Sequence, residues 1–251
     1  MTAISPLDLE TSVAGEEDPG AAIEIGSAKD SSTRQLQTRC GTLEYVVSGG
    51  GAPAIVLFNG AGVTLDGWRE LYPRIEALGT VVAWNRFGLE SSDPPDRVQS
   101  GALVIASVRE LLKYAGVGPP YLVVGHSLGA LYADLFARLH PQEIAGVLLL
   151  EAADPGRVQK MDEGALVRSL HKVQGAPEDS FSDNLHAEVA AVRHIERELE
   201  SAGPFPAVPM ERFRSESGHF PQLSEPQRVI DALQAMVRRA RQAGASPLAR
   251  P

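Results

Sequence analysis

The sequence predicts an α/β fold: a doubly wound, mostly parallel sheet with helices on both faces and a small helical lid. Short apolar runs alternate with segments of helical periodicity over most of the chain, which is typical of parallel strands joined by crossover helices. At residues 121–136 a β-favouring run leads into Gly-His-Ser-Leu-Gly and then into apolar residues at helical spacing. Residues 155–204 break the alternation with helical pieces and no buried strand, which predicts the lid.

Length and composition fit one domain and exclude several kinds of partner. A chain of 251 residues that is 43% hydrophobic can bury a sizeable core. The net charge of −9, without a dense basic run, argues against nucleic acid and anionic membrane surfaces as partners. No apolar stretch approaches the roughly 20 residues of a membrane-spanning helix. The start lacks the features of a secretory signal, and Cys40 is the single cysteine, so we expect a cytoplasmic protein.

Changes in pattern divide the chain into four segments. Residues 1–34 are rich in small, polar and acidic residues and predict a mobile acidic N-terminal arm. This arm is either a spacer or a segment that packs on a partner subunit. Residues 35–154 form the predicted core, residues 155–204 the helical lid, and residues 205–251 complete the core with a histidine loop and a C-terminal helix. A pair of ordinary crossover helices is the alternative to a lid.

The predicted elements follow one another in a regular order. Two alternating runs on either side of Gly41 predict a hairpin, and continuous apolar runs predict strands buried on both faces. Strands are expected at residues 35–40, 42–48, 54–58, 81–84, 121–124 and 144–150, and within 207–215. Helices are expected at residues 68–78, 102–115, from the Gly-His-Ser-Leu-Gly turn to about 140, at 165–173, at 184–201 and at about 226–241. Ligand chemistry in such a sheet lies at the carboxyl ends of the strands.

The turn around Ser127 has the form of a nucleophile elbow. A strand that turns directly into a helix strains the residue at the apex, and Gly125 and Gly129 leave room for such a turn. The Ser127 hydroxyl is therefore expected above the sheet edge, at a helix N-terminus that favours developing negative charge. A chance Gly-x-Ser-x-Gly in a loop is the alternative, and the flanking strand and helix argue against it.

A serine hydroxyl needs a base, and among the six histidines His219 has the most suitable position. It lies in a Gly-His-Phe turn between the last predicted strand and the last predicted helix, where the loop can reach the strand ends. His126, inside the elbow, is expected to point away from the hydroxyl. We therefore predict His219 as the base that acts on Ser127.

The acid that orients the base is expected at the same sheet edge. Glu151 directly follows a buried strand, and Asp154 lies three residues further along. Our choice is Glu151, with Asp154 as the second candidate. The alternative for Glu151 is a structural role as a helix cap or in a loop ion pair.

Two backbone N–H groups are predicted to form an oxyanion hole. One belongs to Leu128, the residue after the nucleophile, and for the other we choose Ala61, in the loop after the strand at 54–58. Asn59 is expected to orient that loop through its side-chain amide. The glycines of this loop could equally be simple turn residues.

With these features the chain resembles the α/β-hydrolase fold superfamily, in its serine esterase-like branch, over roughly residues 36–154 and 217–240. Residues 58–62 (Phe-Asn-Gly-Ala-Gly) lie where the family carries its oxyanion turn, and residues 217–220 (Ser-Gly-His-Phe) resemble its histidine turn. Residues 85–93 (Asn-Arg-Phe-Gly-Leu-Glu-Ser-Ser-Asp) are similar to its Asp-Arg-x-Gly-x-Gly-x-Ser loop. The resemblance implies a triad of Ser127, His219 and an acid, no cofactor, and hydrolysis of esters or related acyl compounds.

The segment between the lid and His219 departs from the family pattern. The superfamily commonly places its acid after the strand that follows the lid, but residues 206–219 have space for about one strand. This strengthens Glu151, since some branches carry the acid after the earlier strand. The sheet is also left short on one side, so we hypothesise an exposed edge that pairs with a second subunit in a homodimer.

The sequence therefore predicts a serine hydrolase that cleaves a small carboxylic ester, lactone or thioester through an acyl-enzyme. Its expected partner is a small-molecule acyl substrate, whose identity the sequence does not specify. The alternatives are a triad-retaining ligand-binding or receptor protein, and a cofactor-free perhydrolase or carbon–carbon bond hydrolase. A serine nucleophile argues against dehalogenases and epoxide hydrolases, which use aspartate at that position.

Overall fold

A mixed sheet forms the centre of the fold, and its strands alternate with helices along the chain. The computed structural model describes residues 32–152, 183–217 and 219–244, and within these ranges the sheet has seven strands. The strands are β1 (Arg34–Thr38), β2 (Gly41–Ser48), β3 (Ala54–Phe58), β4 (Val81–Trp84), β5 (Tyr121–His126), β6 (Ile144–Leu150) and β7 (Met210–Phe213). The helices are α1 (Tyr72–Glu76), α2 (Gly101–Tyr114), α3 (Leu128–Leu139), α4 (Asp183–Ser201), α5 (Pro221–Ser224) and α6 (Pro226–Gly244).

The strand order, β1-β2-β4-β3-β5-β6-β7, brings three strand ends together at the centre of the sheet. The β1–β2 and β2–β4 pairs are antiparallel, and all other pairs are parallel. The register places Phe58 of β3 beside Gly125 of β5, and His126 of β5 beside Leu150 of β6. Because these strands run in the same direction, Ser127 and Glu151 leave the sheet at one edge, next to the loop that follows β3.

Most of the predicted elements are confirmed. The hairpin is the β1–β2 pair, and the buried strands predicted at 54–58, 81–84 and 144–150 have those bounds. The helices predicted at 102–115 and 184–201 each begin one residue earlier, as α2 and α4. The predicted helix at 165–173 and the arm up to residue 31 lie outside the described residues, and the division into four segments stays a prediction.

The helix predicted at 68–78 is wrong in its extent. Instead, a 3₁₀ turn spans Leu65–Trp68, and the α-helix α1 spans only Tyr72–Glu76. Pro73 explains the break, because proline has no N–H to donate and its ring clashes with the carbonyl one turn earlier, so it is tolerated only in a helix's first turn. The apolar spacing continues through this break, which is why periodicity alone suggested one helix.

Helices cover both faces of the sheet. Val56 and Phe58 pack on the side of α2, α3 and α4, whereas Ile55 and Leu57 pack on the opposite side with α1 and α6. This division follows from the two-residue period of a strand. Each such side chain is fully buried and contributes about 1.5–3 kcal/mol through its removal from water. The strand ends that carry the site are therefore held by core on both sides.

Helix α4 belongs to the segment predicted as a lid, and it packs against α2 and α3. Its buried residues are the apolar Ala191, Val192 and Ile195 and the acidic Glu188 and Glu196. None of the helices in the described parts of the chain combines the length and apolarity needed to cross a membrane.

Candidate active site

The turn between β5 and α3 has the strained geometry expected of a nucleophile elbow. Ser127 has φ 51° and ψ −115°, a backbone conformation that L-residues rarely adopt. Its N–H donates to the carbonyl oxygen of Leu150 at 2.9 Å, which ties the apex to the neighbouring strand. A Cβ on Gly125 would lie 2.6 Å from the Cα of Ala130, so glycine is required where the helix crosses the strand end.

His219 lies against this serine. The distance between its Nε2 and the Oγ of Ser127 is 2.9 Å, although 92 residues separate the two along the chain. If the hydroxyl donates this hydrogen bond, Nε2 is the acceptor and the imidazole proton is on Nδ1. Burial lowers the pKa of His219, while the charge of Glu151 opposes that shift. A neutral imidazole at pH 7 can accept a proton, which is the state that a general base requires.

His126 contacts the backbone of His219. It is buried, and its Nε2 lies 2.7 Å from the carbonyl oxygen of His219. A carbonyl oxygen can only accept, so Nε2 carries the proton and donates, which leaves Nδ1 to face the side-chain amide of Gln222 at 3.4 Å. Burial lowers the pKa of His126 to about 3. This confirms that His126 does not face the Ser127 hydroxyl, but its contact with the His219 backbone had no signal in the sequence.

Glu151 lies at the end of β6 and points toward the histidine loop. It has a positive φ of 44°, and its N–H donates to the carbonyl oxygen of Phe213 at 3.1 Å. One carboxylate oxygen accepts from the N–H of Ser215 at 2.5 Å. Among the hydrogen bonds of the described residues, none joins this carboxylate to the His219 ring. The negative charge of Glu151 acts on the ring electrostatically and favours a higher pKa of His219. Asp154 lies outside the described residues, so the choice between the two acids stays a prediction.

A second carboxylate, Glu225, organises the loop that carries His219. It accepts from the N–H groups of Glu216 at 2.7 Å and Ser217 at 2.9 Å, from both serine hydroxyls of the loop, and it pairs with Arg228. The hydrogen bonds from Ser215 and Ser217 lower the pKa of Glu225 to about 2. Sequence reasoning missed this residue, because a glutamate at a helix start is typical of many helices without a functional role.

The loop after β3 lies beside the elbow. A Cβ on Gly60 would lie 3.4 Å from the Cβ of Ser127 and 2.9 Å from Nδ1 of His126, so the loop backbone lies directly against Ser127. The Asn59 side chain donates to the carbonyl oxygen of Trp84 at 3.0 Å and accepts from Nε1 of Trp68 at 2.5 Å. Asn59 therefore orients the loop as expected. Ala61 and Leu128, the predicted oxyanion donors, are both buried at this junction, and their role stays a prediction.

A buried ion pair also contacts the loop. Arg86 donates to the carbonyl oxygens of Asn59 and Gly60, each at 2.7 Å, and Glu188 accepts from the N–H of Gly62 at 2.6 Å. Arg86 lies in the segment that resembles the family's Asp-Arg loop, so the sequence carried a signal for it. Glu188 had none, because it is one of several glutamates on an amphipathic helix. No group of three or more potential metal ligands clusters within the described residues.

This sheet, with a strained serine at a strand–helix turn and a histidine against it, defines a protein of the α/β-hydrolase class. The chain belongs to the alpha/beta hydrolase fold family, whose sequence profile matches residues 53–192. The mostly parallel sheet with helices on both faces agrees with that membership.

Individual relatives match parts of the chain. An uncharacterized protein of Bacillus subtilis, YqjL, is 30% identical over 105 residues, which are 42% of this chain and 42% of YqjL. A pimeloyl-[acyl-carrier protein] methyl ester esterase of Edwardsiella ictaluri is 27% identical over 135 residues, which are 53% of this chain and 49% of the esterase. The chain thus spans less than half the length of these relatives.

A solved structure supports the fold over a larger share of the chain. A putative epoxide hydrolase mutant of Pseudomonas aeruginosa has a TM-score of 0.68 and 16% identity, and the match covers 87% of this chain and 99% of that one. At this identity the likeness shows the fold alone.

Proposed function

We propose that this protein is a serine hydrolase that cleaves a small carboxylic ester, lactone or thioester through an acyl-enzyme. The observation that carries the proposal is the 2.9 Å distance between Ser127 Oγ and His219 Nε2, at a strained strand–helix turn. This is the pairing that a serine nucleophile and its base require. The match to a pimeloyl-[acyl-carrier protein] methyl ester esterase supports an ester as the substrate class.

In the acylation step, Ser127 Oγ forms a bond to the acyl carbon, and its proton passes to His219 Nε2. The carbonyl oxygen takes the electron pair and becomes an oxyanion, which faces the backbone N–H groups of Ala61 and Leu128. The tetrahedral species then collapses, the bond between carbon and leaving group breaks, and the leaving group takes the proton from His219. Glu151 stabilises the imidazolium that exists between these transfers.

Deacylation repeats the same steps with water. His219 takes a proton from the water, whose oxygen forms a bond to the acyl carbon, and a second oxyanion forms at the same position. When it collapses, the bond to Ser127 Oγ breaks, and the proton returns from His219 to the serine. The products are a carboxylic acid and the free enzyme.

The direct test uses two alanine variants and matched controls. Ser127→Ala and His219→Ala should each lower kcat/KM for a p-nitrophenyl ester by at least about 10³-fold. Exposed residues of the same types serve as controls, and Ser91→Ala and His194→Ala should keep wild-type turnover. Retained activity in Ser127→Ala or His219→Ala would refute the assignment. Stoichiometric labelling of wild type by a fluorophosphonate with negligible turnover would instead point to a binding protein.

A further inference from the structure

The ion pair between Arg86 and Glu188 joins two distant parts of the chain. Arg86 follows β4, and Glu188 lies on α4, 102 residues later. Nε of Arg86 is 2.5 Å from Oε1 of Glu188, and the side chains are 1% and 0% exposed. Burial alone would disfavour both charges, but the carboxylate outweighs that effect and raises the pKa of Arg86. Removing both charges from water costs free energy, and the attraction between them offsets this cost only if the remaining donors and acceptors of the pair also form hydrogen bonds.

Those remaining hydrogen bonds all go to one loop. Nη1 and Nη2 of Arg86 donate to the carbonyl oxygens of Asn59 and Gly60, each at 2.7 Å. The second carboxylate oxygen of Glu188 accepts from the N–H of Gly62 at 2.6 Å. The ion pair therefore holds the loop on both sides of Ala61, the residue chosen as an oxyanion donor.

The planarity of the peptide bond between Gly60 and Ala61 fixes the direction in which the Ala61 N–H points. In a trans peptide the C=O of one residue and the N–H of the next point in opposite directions. Because the carbonyl of Gly60 points at Arg86, the N–H of Ala61 is directed away from Arg86. Gly62 has a positive φ of 65°, and its N–H is already used by Glu188. The orientation of the Ala61 N–H thus depends on a side chain of α4.

We propose that Glu188 is a positioning residue for the oxyanion hole, and that the docking of α4 on the core thereby sets the stabilisation of the transition state. Glu188 acts through Arg86 and Gly62 and does not itself touch the reacting atoms. This inference rests on the proposed serine hydrolase function. Its alternative is an ion pair that only attaches α4 to the core.

The structure offers a matched control on the same helix. Glu198 also accepts two backbone N–H groups, from Gly101 at 2.6 Å and Ala102 at 3.2 Å, but these lie at the start of α2. Glu198→Gln thus weakens the attachment of α4 without changing the oxyanion loop. Glu188→Gln removes the charge next to the loop and keeps the size of the side chain.

The experiment measures kcat per active site, titrated with a fluorophosphonate, and the inhibition constant of a trifluoromethyl ketone that mimics the tetrahedral intermediate. Glu188→Gln should lower kcat by about 10- to 100-fold with little change in KM, and should weaken the ketone by the same factor. Glu198→Gln should change both by less than about threefold. Equal effects of the two variants on kcat and on ketone affinity would overturn the proposal.

A second variant tests the proposal in case Glu188→Gln does not fold. Replacing a buried ion pair by apolar residues of similar size is often neutral for stability, so Arg86→Met/Glu188→Leu should fold and still be slow. If this double variant folds and has wild-type kcat, the ion pair is only an attachment.

Hydrogen exchange of the peptide that covers residues 59–64 separates this inference from the proposed function. Faster exchange there in Glu188→Gln than in Glu198→Gln supports the hold on the loop, whatever the activity. Equal exchange in the two variants overturns it. Absence of turnover in wild type, by contrast, would contradict the serine hydrolase function itself and with it the catalytic role of Glu188.

Discussion

The buried histidine of the elbow should make the fold sensitive to mild acid. His126 is 1% exposed, and burial lowers its pKa to about 3, from 6.5 in the unfolded chain. As the pH falls below 6.5 the unfolded chain takes up a proton at this position and the folded protein does not. The stability that the neutral ring contributes is therefore fully present above pH 6.5 and is lost progressively toward pH 3.

The size of this effect follows from the difference in pKa. While only the unfolded chain binds the proton, the free energy of unfolding falls by about 1.4 kcal/mol for each pH unit. Between pH 6.5 and pH 5 the loss from His126 alone is therefore about 2 kcal/mol. Glu225, whose pKa is lowered from 4.5 to about 2, contributes below this window and not within it.

The assay is urea unfolding at pH 7, 6 and 5, followed by the fluorescence of the buried residues Trp68 and Trp84. His126→Gln removes the titrating ring and keeps an N–H that can reach the carbonyl of His219. This variant should lose about 2 kcal/mol less than wild type between pH 7 and pH 5. The exposed His194 provides the control, and His194→Gln should follow wild type. An unchanged pH dependence in His126→Gln would show that His126 is not the source of the acid sensitivity.

Three further predictions concern the acid, the elbow helix and the sheet edge. The charge of Glu151 opposes the lowering of the His219 pKa. Glu151→Gln should therefore move the acidic limb of the pH profile of kcat/KM to lower pH and reduce the plateau of that profile by about 10²- to 10⁴-fold. An unmoved limb would favour another acid. A Cβ on Gly129 would lie 2.6 Å from the carbonyl oxygen of Asn59, so Gly129→Ala should lower the free energy of unfolding, measured in urea, by about 1–3 kcal/mol. Gly203→Ala is the control, because its Cβ meets no atom within 4 Å, and it should change this free energy little. We propose that β7, at the end of the sheet, pairs with a second subunit. Light scattering at micromolar concentration should give twice the mass of the chain. The mass of a monomer would exclude this pairing.

The elements that could be predicted from the sequence are those whose signals are local. Continuous apolar runs marked β3, β4 and β6 to the residue, because a strand buried on both faces needs apolar side chains at every position. The helix predicted at 68–78 shows the limit of periodicity. Its apolar spacing was regular, but Pro73 restarts the chain as a separate short helix.

The positions of Ser127 and His219 at one edge of the sheet were predictable for different reasons. Ser127 was marked by glycines that the turn itself requires, whereas His219 was chosen because its loop could reach the strand ends. The role of His126 was not predictable. Its ring packs 5.2 Å from the ring of His219 and bonds to that residue's backbone, a contact between residues 93 positions apart.

The order of strands and helices along the described chain and the strained turn at Ser127 could be predicted from residues close in sequence, because sterics and side-chain periodicity act between such residues. The folded structure was needed to show other contacts between distant groups: Glu188 with Arg86 and the loop after β3, and His126 with the backbone of His219. Such contacts depend on how the sheet orders its strands and how α4 docks on it. One glutamate of an amphipathic helix is indistinguishable from the others until that packing buries it.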